Sequence, residues 1–321
     1  MKILGPEQNI TDNEKTVVTV GNFDGVHRGH IALFSELSKR ARDKGCKSVV
    51  VTFEPHTREV LYPELPVELL TTFEEKATLI EQCGIDYVMK IPFTQEFSEL
   101  SPDQFVETIL IDKLHATDWV MGEGHAVGKN RSGGKKFLHE AMGRYHITIF
   151  AADLYTRNTT VVSSTQIRKL IVEGRIAEAV GMLGHPYLIT TERVEGIKLG
   201  VKLGFPTLNF RKPPSQKVLP PPGVYAASLS HGAANWNGAL YFGECPTFTH
   251  REAHFEFHAL ALDRGTPPEP GERAHLWLYE FIRGDMGFAD AQELAARIKK
   301  DIIKIRTIFT QENAHAFDQG A

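Results

Sequence analysis

Cysteine is nearly absent: 321 residues contain only Cys46, Cys83 and Cys245, with no CxxC pair among them. Spacing of that kind excludes a disulfide framework and a cysteine-ligated zinc site, and predicts reduced thiols packed as small apolar side chains. Long apolar runs are missing too, since no stretch nears the ~18 residues that cross a bilayer. The opening residues, MKILGPEQNITDNEK, turn polar too soon for a secretory leader, so the expected location is the cytoplasm, away from membranes. Charge of either sign is not in excess: 36 Lys and Arg against 40 Asp and Glu leave a formal −4. A duplex-binding protein carries a basic face, and this balance asks for none, so no nucleic-acid partner is expected. Small anionic ligands stay compatible, because local donors rather than net charge hold them. Internal repeats and low-complexity tracts are absent as well, and the sequence leaves the oligomeric state open.

What is present is an ordinary globular composition, 42% hydrophobic and 24% charged, in a chain long enough for two cores. The first half alternates β-rich runs with helical patterns. Strands are predicted over 16–20, 48–53, 87–91, 119–121 and 147–150. Helices are predicted over 30–44 and 73–83, with another opened by Ser101-Pro102-Asp103-Gln104 and a final pair over 164–173 and 176–183. Strands separated by helices imply crossovers and a parallel, doubly wound α/β sheet. After Gly184-His185-Pro186 the texture changes to crowded prolines and short β-branched or aromatic runs at 224–229, 239–242, 254–262 and 274–281. That is the pattern of an antiparallel barrel or sandwich, closed by one amphipathic helix from Asp290 to about Phe309. The expected domains are therefore 1–184 and 185–321.

Two places carry chemistry in the first half. Gly21-Asn22-Phe23-Asp24-Gly25-Val26-His27-Arg28-Gly29-His30 lies where the first long strand hands over to a helix. Ligands of open α/β sheets bind at the carboxyl ends of strands, glycines let a phosphate approach the backbone, and a helix N-terminus offers free N–H groups. Two imidazoles there could stabilise charge on a reacting triphosphate. The bland alternative, two surface histidines beside a turn, does not explain their place between strand and helix. Ser163-Ser164-Thr165-Gln166-Ile167-Arg168 opens a later helix. Its hydroxyls could serve merely as caps, while Arg168 could grip phosphate oxygens in a forked geometry.

In the second half, Gly204-Phe205-Pro206-Thr207-Leu208-Asn209 sets Thr207 and Asn209 at alternate positions of an extended segment, so both project to one face. Their oxygens suit Mg²⁺, a hard cation that keeps waters and substrate phosphates in its shell. Phe255-Glu256-Phe257-His258 places a carboxylate between two phenylalanines on a β-pattern. On a core-facing side that charge is costly unless it has work or a partner, and on a solvent face it is unremarkable.

Taken together, these strings resemble a known family. The HxGH and SSTxIR pair is similar to the HxGH nucleotidyltransferases. GNFDGVHRGH, Phe53-Glu54-Pro55-His56, GFPTLN, Pro222-Gly223-Val224-Tyr225, Gly243-x-x-Pro246-Thr247-Phe248 and the Glu256 strand resemble bifunctional bacterial riboflavin kinase/FMN adenylyltransferases, or FAD synthetases, over residues 15–305. The resemblance implies a Rossmann-like N-terminal domain that makes FAD from FMN and ATP, then a six-stranded barrel that makes FMN from riboflavin and ATP. His27, His30 and Arg168 would then act on the ATP phosphates, with Gly21, Asn22, Phe23, Gly25, Gly29, Ser164 and Thr165 around the nucleotide. In the barrel Gly196, Lys198, Gly204 and Pro206 would line ATP, Thr207 and Asn209 would hold Mg²⁺, and Glu256 would be the general base. Arg283 and Phe288 would meet the flavin. Two segments depart from the family pattern. Gly122-Glu123-Gly124-His125-Ala126-Val127-Gly128 lacks the usual polar residue and aromatics of a flavin contact, and Arg264 to Gly271 replaces a shorter loop. Alternatives are a chain with one live site, the kinase, or a non-catalytic flavin- or nucleotide-binding protein.

Overall fold

The β-branched runs of the first half form six strands: β1 (Lys2–Leu4), β2 (Thr16–Val20), β3 (Lys47–Glu54), β4 (Tyr87–Pro92), β5 (Ala116–Gly122) and β6 (Thr148–Ala152). A computed structural model describes the chain except residues 12, 123–127, 129–132, 153–155, 158–159, 197–199, 201–202, 244–253, 263–264 and 319–321. The strands pair in the order β1-β4-β3-β2-β5-β6, and every pairing is parallel. From β2 the chain runs outward through β3 and β4, then returns to β5 on the other side of β2. The strand order therefore reverses between β2 and β5, which opens a crevice at their carboxyl ends.

Helices cover the sheet, which is why β2 is buried along its whole length. Helix α1 (Arg28–Lys44) buries Leu33, Phe34, Leu37 and Ala41, and ends at Gly45 with φ 62°, a left-handed cap. Lys44 closes that end by donating to both oxygens of the fully buried Asp118, at 2.7 and 2.6 Å. Next come α2 (Thr57–Leu61), α3 (Phe73–Gln82) with a Thr72/Glu75 capping box, and α4 (Gln95–Ser98). Then α5 (Pro102–Phe105) starts in the Ser101/Gln104 box that the sequence announces, and runs on as a π-helical turn over Val106–Ile111. Helix α6 (Lys135–Tyr145) precedes β6, and a small hairpin, β7 (Thr156–Arg157) with β8 (Thr160–Val161), follows it.

The chain divides into two units, Met1–Ser164 and Thr165–Ala321. The break comes twenty residues before the change of texture near 184, because α7 (Ser164–Val172) and α8 (Ile176–Leu183) lie between the two positions. Within the second unit α8 lies against β9 (Tyr187–Val194) and β14 (Arg273–Gly284). With β10 (Leu208–Phe210), β11 (Gly223–His231), β12 (Ala234–Gly243) and β13 (His254–Ala259), these strands close a six-stranded barrel, β10-β13-β12-β11-β14-β9. All its pairings are antiparallel, and closure removes every sheet edge.

Side chains fill the barrel. Registered neighbours such as Tyr225, Leu240 and Phe257 share the inner face and are completely buried, as is Phe255. Val224 and Ala226 point outward, where Ile305 and Phe309 of the closing helix α9 (Ala291–Asp318) pack on them. Among the described residues, no helix is long and apolar enough to cross a membrane.

Candidate active sites

The predicted phosphate turn sits at the carboxyl end of β2, beside the crevice. It departs from ordinary backbone geometry at three adjoining places: Phe23, Gly25 and Val26 have φ of 49°, 83° and 41°. Left-handed conformations at Phe and Val carry strain, and persist only where surroundings enforce them. Here the enforcement is visible. The buried Asp24 carboxylate accepts from the backbone N–H groups of Leu70 (3.1 Å) and Thr71 (2.9 Å) and from the Thr71 hydroxyl (3.1 Å), while Gly25 N–H donates to Thr71 Oγ1. Phe23 is driven inward, edge-on to both His30 and Phe34.

That geometry brings the two histidines together. His27 is the residue that caps α1 and His30 lies one turn on, and their rings stack at 3.6 Å with 18° between planes. His27 is buried and His30 half-buried. The glycines are used for space: a Cβ on Gly29 would meet the His27 ring at 3.2 Å, and one on Gly21 would meet Phe23 at 2.9 Å. Asn22 donates to Thr57 Oγ1 at the start of α2. The second motif also reaches this turn, since Ser164 Oγ donates to the Asp24 carbonyl at 2.9 Å. Thr165, exposed, and Arg168, half-buried near the N-terminal end of α7, fall in the second unit. The Asp24–Thr71 clamp escaped sequence reading. Its only signal was the Thr71-Thr72 pair before α3, which reads as a cap.

In the second unit the alternation of β13 decides where Glu256 goes. Phe255 and Phe257 fill the barrel, so Glu256 and His258 lie on the outer wall. Glu256 therefore faces neither the barrel core nor a bare solvent surface, because an open cavity lies on that outer wall. Thr207, Glu256, His258, Arg283, Phe288 and Asp301 are among its lining residues. Thr207 Oγ1 donates to Glu256 Oε2 at 3.4 Å, and the buried Asn209 is registered directly beside Glu256 across β10 and β13. Gly204 takes φ 83°, and the carbonyl of the next residue but one, Pro206, accepts from His258 Nδ1 at 2.9 Å. Gly196 sits so close to Asn209 that a Cβ would lie 2.1 Å from its amide nitrogen. Arg283 and Phe288 also come together, the guanidinium 5.7 Å from the ring centroid. Arg283 is held by Asp301 of α9 at 2.8 Å, and Asp301 also accepts from Arg297 at 3.1 Å. Sequence reading missed Asp301 and His258; their distance from the motifs along the chain hid the first, and the second was part of a matched string with no role given.

Among the described residues no group of three or more His, Cys, Asp or Glu side chains is placed to hold a metal. The side chains of Thr207 and Asn209 carry hard oxygens, the donor chemistry that fits Mg²⁺ brought in with nucleotide phosphates. Lys198, residues 123–127 of the divergent Gly122–Gly128 run, residues 244–248 of the GxxPTF string and Arg264 lie outside the described residues.

A parallel sheet with a histidine pair at its switch point, joined to a barrel with a carboxylate beside Thr and Asn, defines a two-unit transferase. A family model described as FAD synthetase matches residues 9–166, and one described as riboflavin kinase matches residues 183–309. A bifunctional riboflavin kinase/FMN adenylyltransferase of Escherichia coli is 32% identical over 314 residues, 96% of this chain and 98% of the relative. The protein of that name from Listeria monocytogenes is 34% identical over 318 residues, covering 97% and 99%. The chain belongs to the bifunctional riboflavin kinase/FMN adenylyltransferase family. A crystal structure of a macrolide-efflux protein from Streptococcus pneumoniae superposes with a TM-score of 0.80 at 24% identity, covering 95% of this chain and 98% of that one, a likeness of fold alone.

Proposed function

We propose that this chain makes FMN from riboflavin and ATP in the barrel unit, then FAD from FMN and ATP in the sheet unit. The observation that carries this reading is that each unit has its own constellation: stacked His27 and His30 in one, Glu256 with Thr207 and Asn209 in the other.

In the barrel, Glu256 takes the proton of the ribityl 5′-hydroxyl as that oxygen bonds to the γ-phosphorus and the bond to ADP breaks. Thr207 and Asn209 would hold Mg²⁺, which when bound offsets the charge of the β- and γ-phosphates. Arg283 and Phe288 offer a cation and a ring face to the flavin, and Asp301 keeps Arg283 in place. Gly196, Lys198, Gly204 and Pro206 are the backbone and side chain assigned to the nucleotide.

In the sheet unit, a phosphate oxygen of FMN bonds to the α-phosphorus of ATP and pyrophosphate leaves. The attacking oxygen is already ionised, so no base is needed; the requirement is stabilisation of charge on the phosphates. His27, His30 and Arg168 are assigned that role, and Ser164, Thr165 and the turn from Gly21 to Gly29 are assigned to ATP. Riboflavin, FMN and ATP are small soluble molecules, and we place the enzyme in the cytoplasm with them.

The test is chromatography of products after incubating the purified chain with riboflavin, ATP and Mg²⁺. FMN followed by FAD is the expected result. FMN alone would leave a single live site, and neither product would leave a binding protein.

A further inference from the structure

Lys76, on the first turn of α3, is 3% exposed, an unusual place for an ammonium group. Burial pushes its pKa below the usual lysine value; the Asp24 and Glu54 carboxylates oppose that shift and Lys90 adds to it. Its amine donates to Thr52 Oγ1 at 3.2 Å, at the end of β3. The Thr52 hydroxyl in turn donates to the carbonyl of Asn22, inside the phosphate turn, at 3.3 Å. Lys76 therefore stands two hydrogen bonds behind the backbone that is assigned to ATP. The other end of the same turn is tied to the same helix, because Asp24 is clamped by Leu70 and Thr71, just ahead of the Thr72 cap.

A lysine used only for packing would be a poor choice here. A methionine of similar length would fill the space without the cost of desolvating a charge. What methionine cannot supply is an ammonium group, and the one here acts on this turn. It carries the buried Asp24 and neighbours Glu54, two carboxylates close to where a triphosphate must settle. Lys90, which also acts on Lys76, is drawn to the Phe73 ring, 4.4 Å from its centroid.

We propose that Lys76 is a positioning residue of the adenylyltransferase site, whose buried charge offsets Asp24 and Glu54 and fixes the Asn22 carbonyl, so that the turn accepts ATP. The proposal rests on the reading that this turn holds ATP. Its effect falls on ground-state binding of the nucleotide, since the reacting phosphates are assigned to other side chains.

The test compares full-length Lys76→Met, Lys76→Arg and His30→Ala in steady-state FAD formation, with ATP varied at saturating FMN. Riboflavin phosphorylation by the same preparations serves as the internal reference. Lys76→Met is expected to raise KM for ATP tenfold or more while kcat changes less than threefold, and Lys76→Arg to recover most of that loss. Thr52→Val, which cuts the link to Asn22 but leaves the charge, is expected to raise the same KM by a smaller factor; it also decides the matter if Lys76→Met does not fold. A wild-type KM in both Lys76→Met and Thr52→Val, or a loss confined to kcat, would overturn the proposal while an inactive His30→Ala left the ATP reading standing. Full FAD formation by His30→Ala would remove that reading, and the proposal with it.

Discussion

Gly196 shows how a residue without chemistry can control one that has it. A side chain at this position would intrude on the Asn209 amide, and Asn209 is too buried to swing away. Gly196→Ala is therefore expected to displace a proposed Mg²⁺ ligand. Losing one polar contact to a charged group costs about 1.5–3 kcal/mol. Riboflavin phosphorylation should then lose about tenfold to a hundredfold in kcat/KM for ATP with Mg²⁺. FAD formation from added FMN, measured on the same protein, should not change. An equal loss in both activities would point to general unfolding instead. Glu256→Gln tests the neighbouring carboxylate. The amide keeps an acceptor for the Thr207 hydroxyl but cannot take a proton, so FMN formation should fall ~10²–10⁴-fold. Full kinase activity in a folded Glu256→Gln protein would take Glu256 out of the mechanism.

At the scale of elements, most of the fold was legible because its signals are local. The Ser101/Gln104 box, the glycine stop after α1 and the β-branched cores of β2 to β5 each act within a few residues. What stayed hidden depends on pairing. β1 has three residues and gains its place only by lying beside β4. β9 is needed to close the barrel, yet its charged and polar residues mask its period. The face taken by Glu256 was equally out of reach, because alternation fixes which residues share a side but not what lies over it.

The helices between the two chemistries pose a related question, since the family models leave 167–182 unclaimed while the structural break comes at 164. We assign α7 and α8 to the barrel unit, because α8 lies on β9 and β14 and buries Ile176 and Leu183. A fragment from 185 onward and one from 165 onward should both fold and phosphorylate riboflavin. The longer one should be more stable to urea by about 3–6 kcal/mol, the worth of two fully buried aliphatic side chains. Equal stabilities would assign the helices elsewhere.

At the scale of the whole molecule, the two reactions share an intermediate, since FMN leaves one site as product and enters the other as substrate. The kinase residues all lie beyond residue 195 and the stacked histidines before residue 31, so a substitution in one constellation leaves the other untouched. Sites built that way should communicate through free FMN. Two single-site variants make this testable. His30→Ala should turn riboflavin into FMN and stop there, because the stacked pair at the switch point is broken. Glu256→Gln should fail with riboflavin yet convert added FMN into FAD. Mixed in equal amounts with riboflavin, ATP and Mg²⁺, the two variants should together produce FAD. They should do so after a lag that shortens as enzyme concentration rises, because FMN must first accumulate in solution. Chromatography of timed samples gives both the lag and the yield. A mixture that builds up FMN to the level of the His30→Ala protein alone, with no FAD, would mean that FMN released by one chain is not a substrate for the other. The two reactions would then have to be coupled within a single chain.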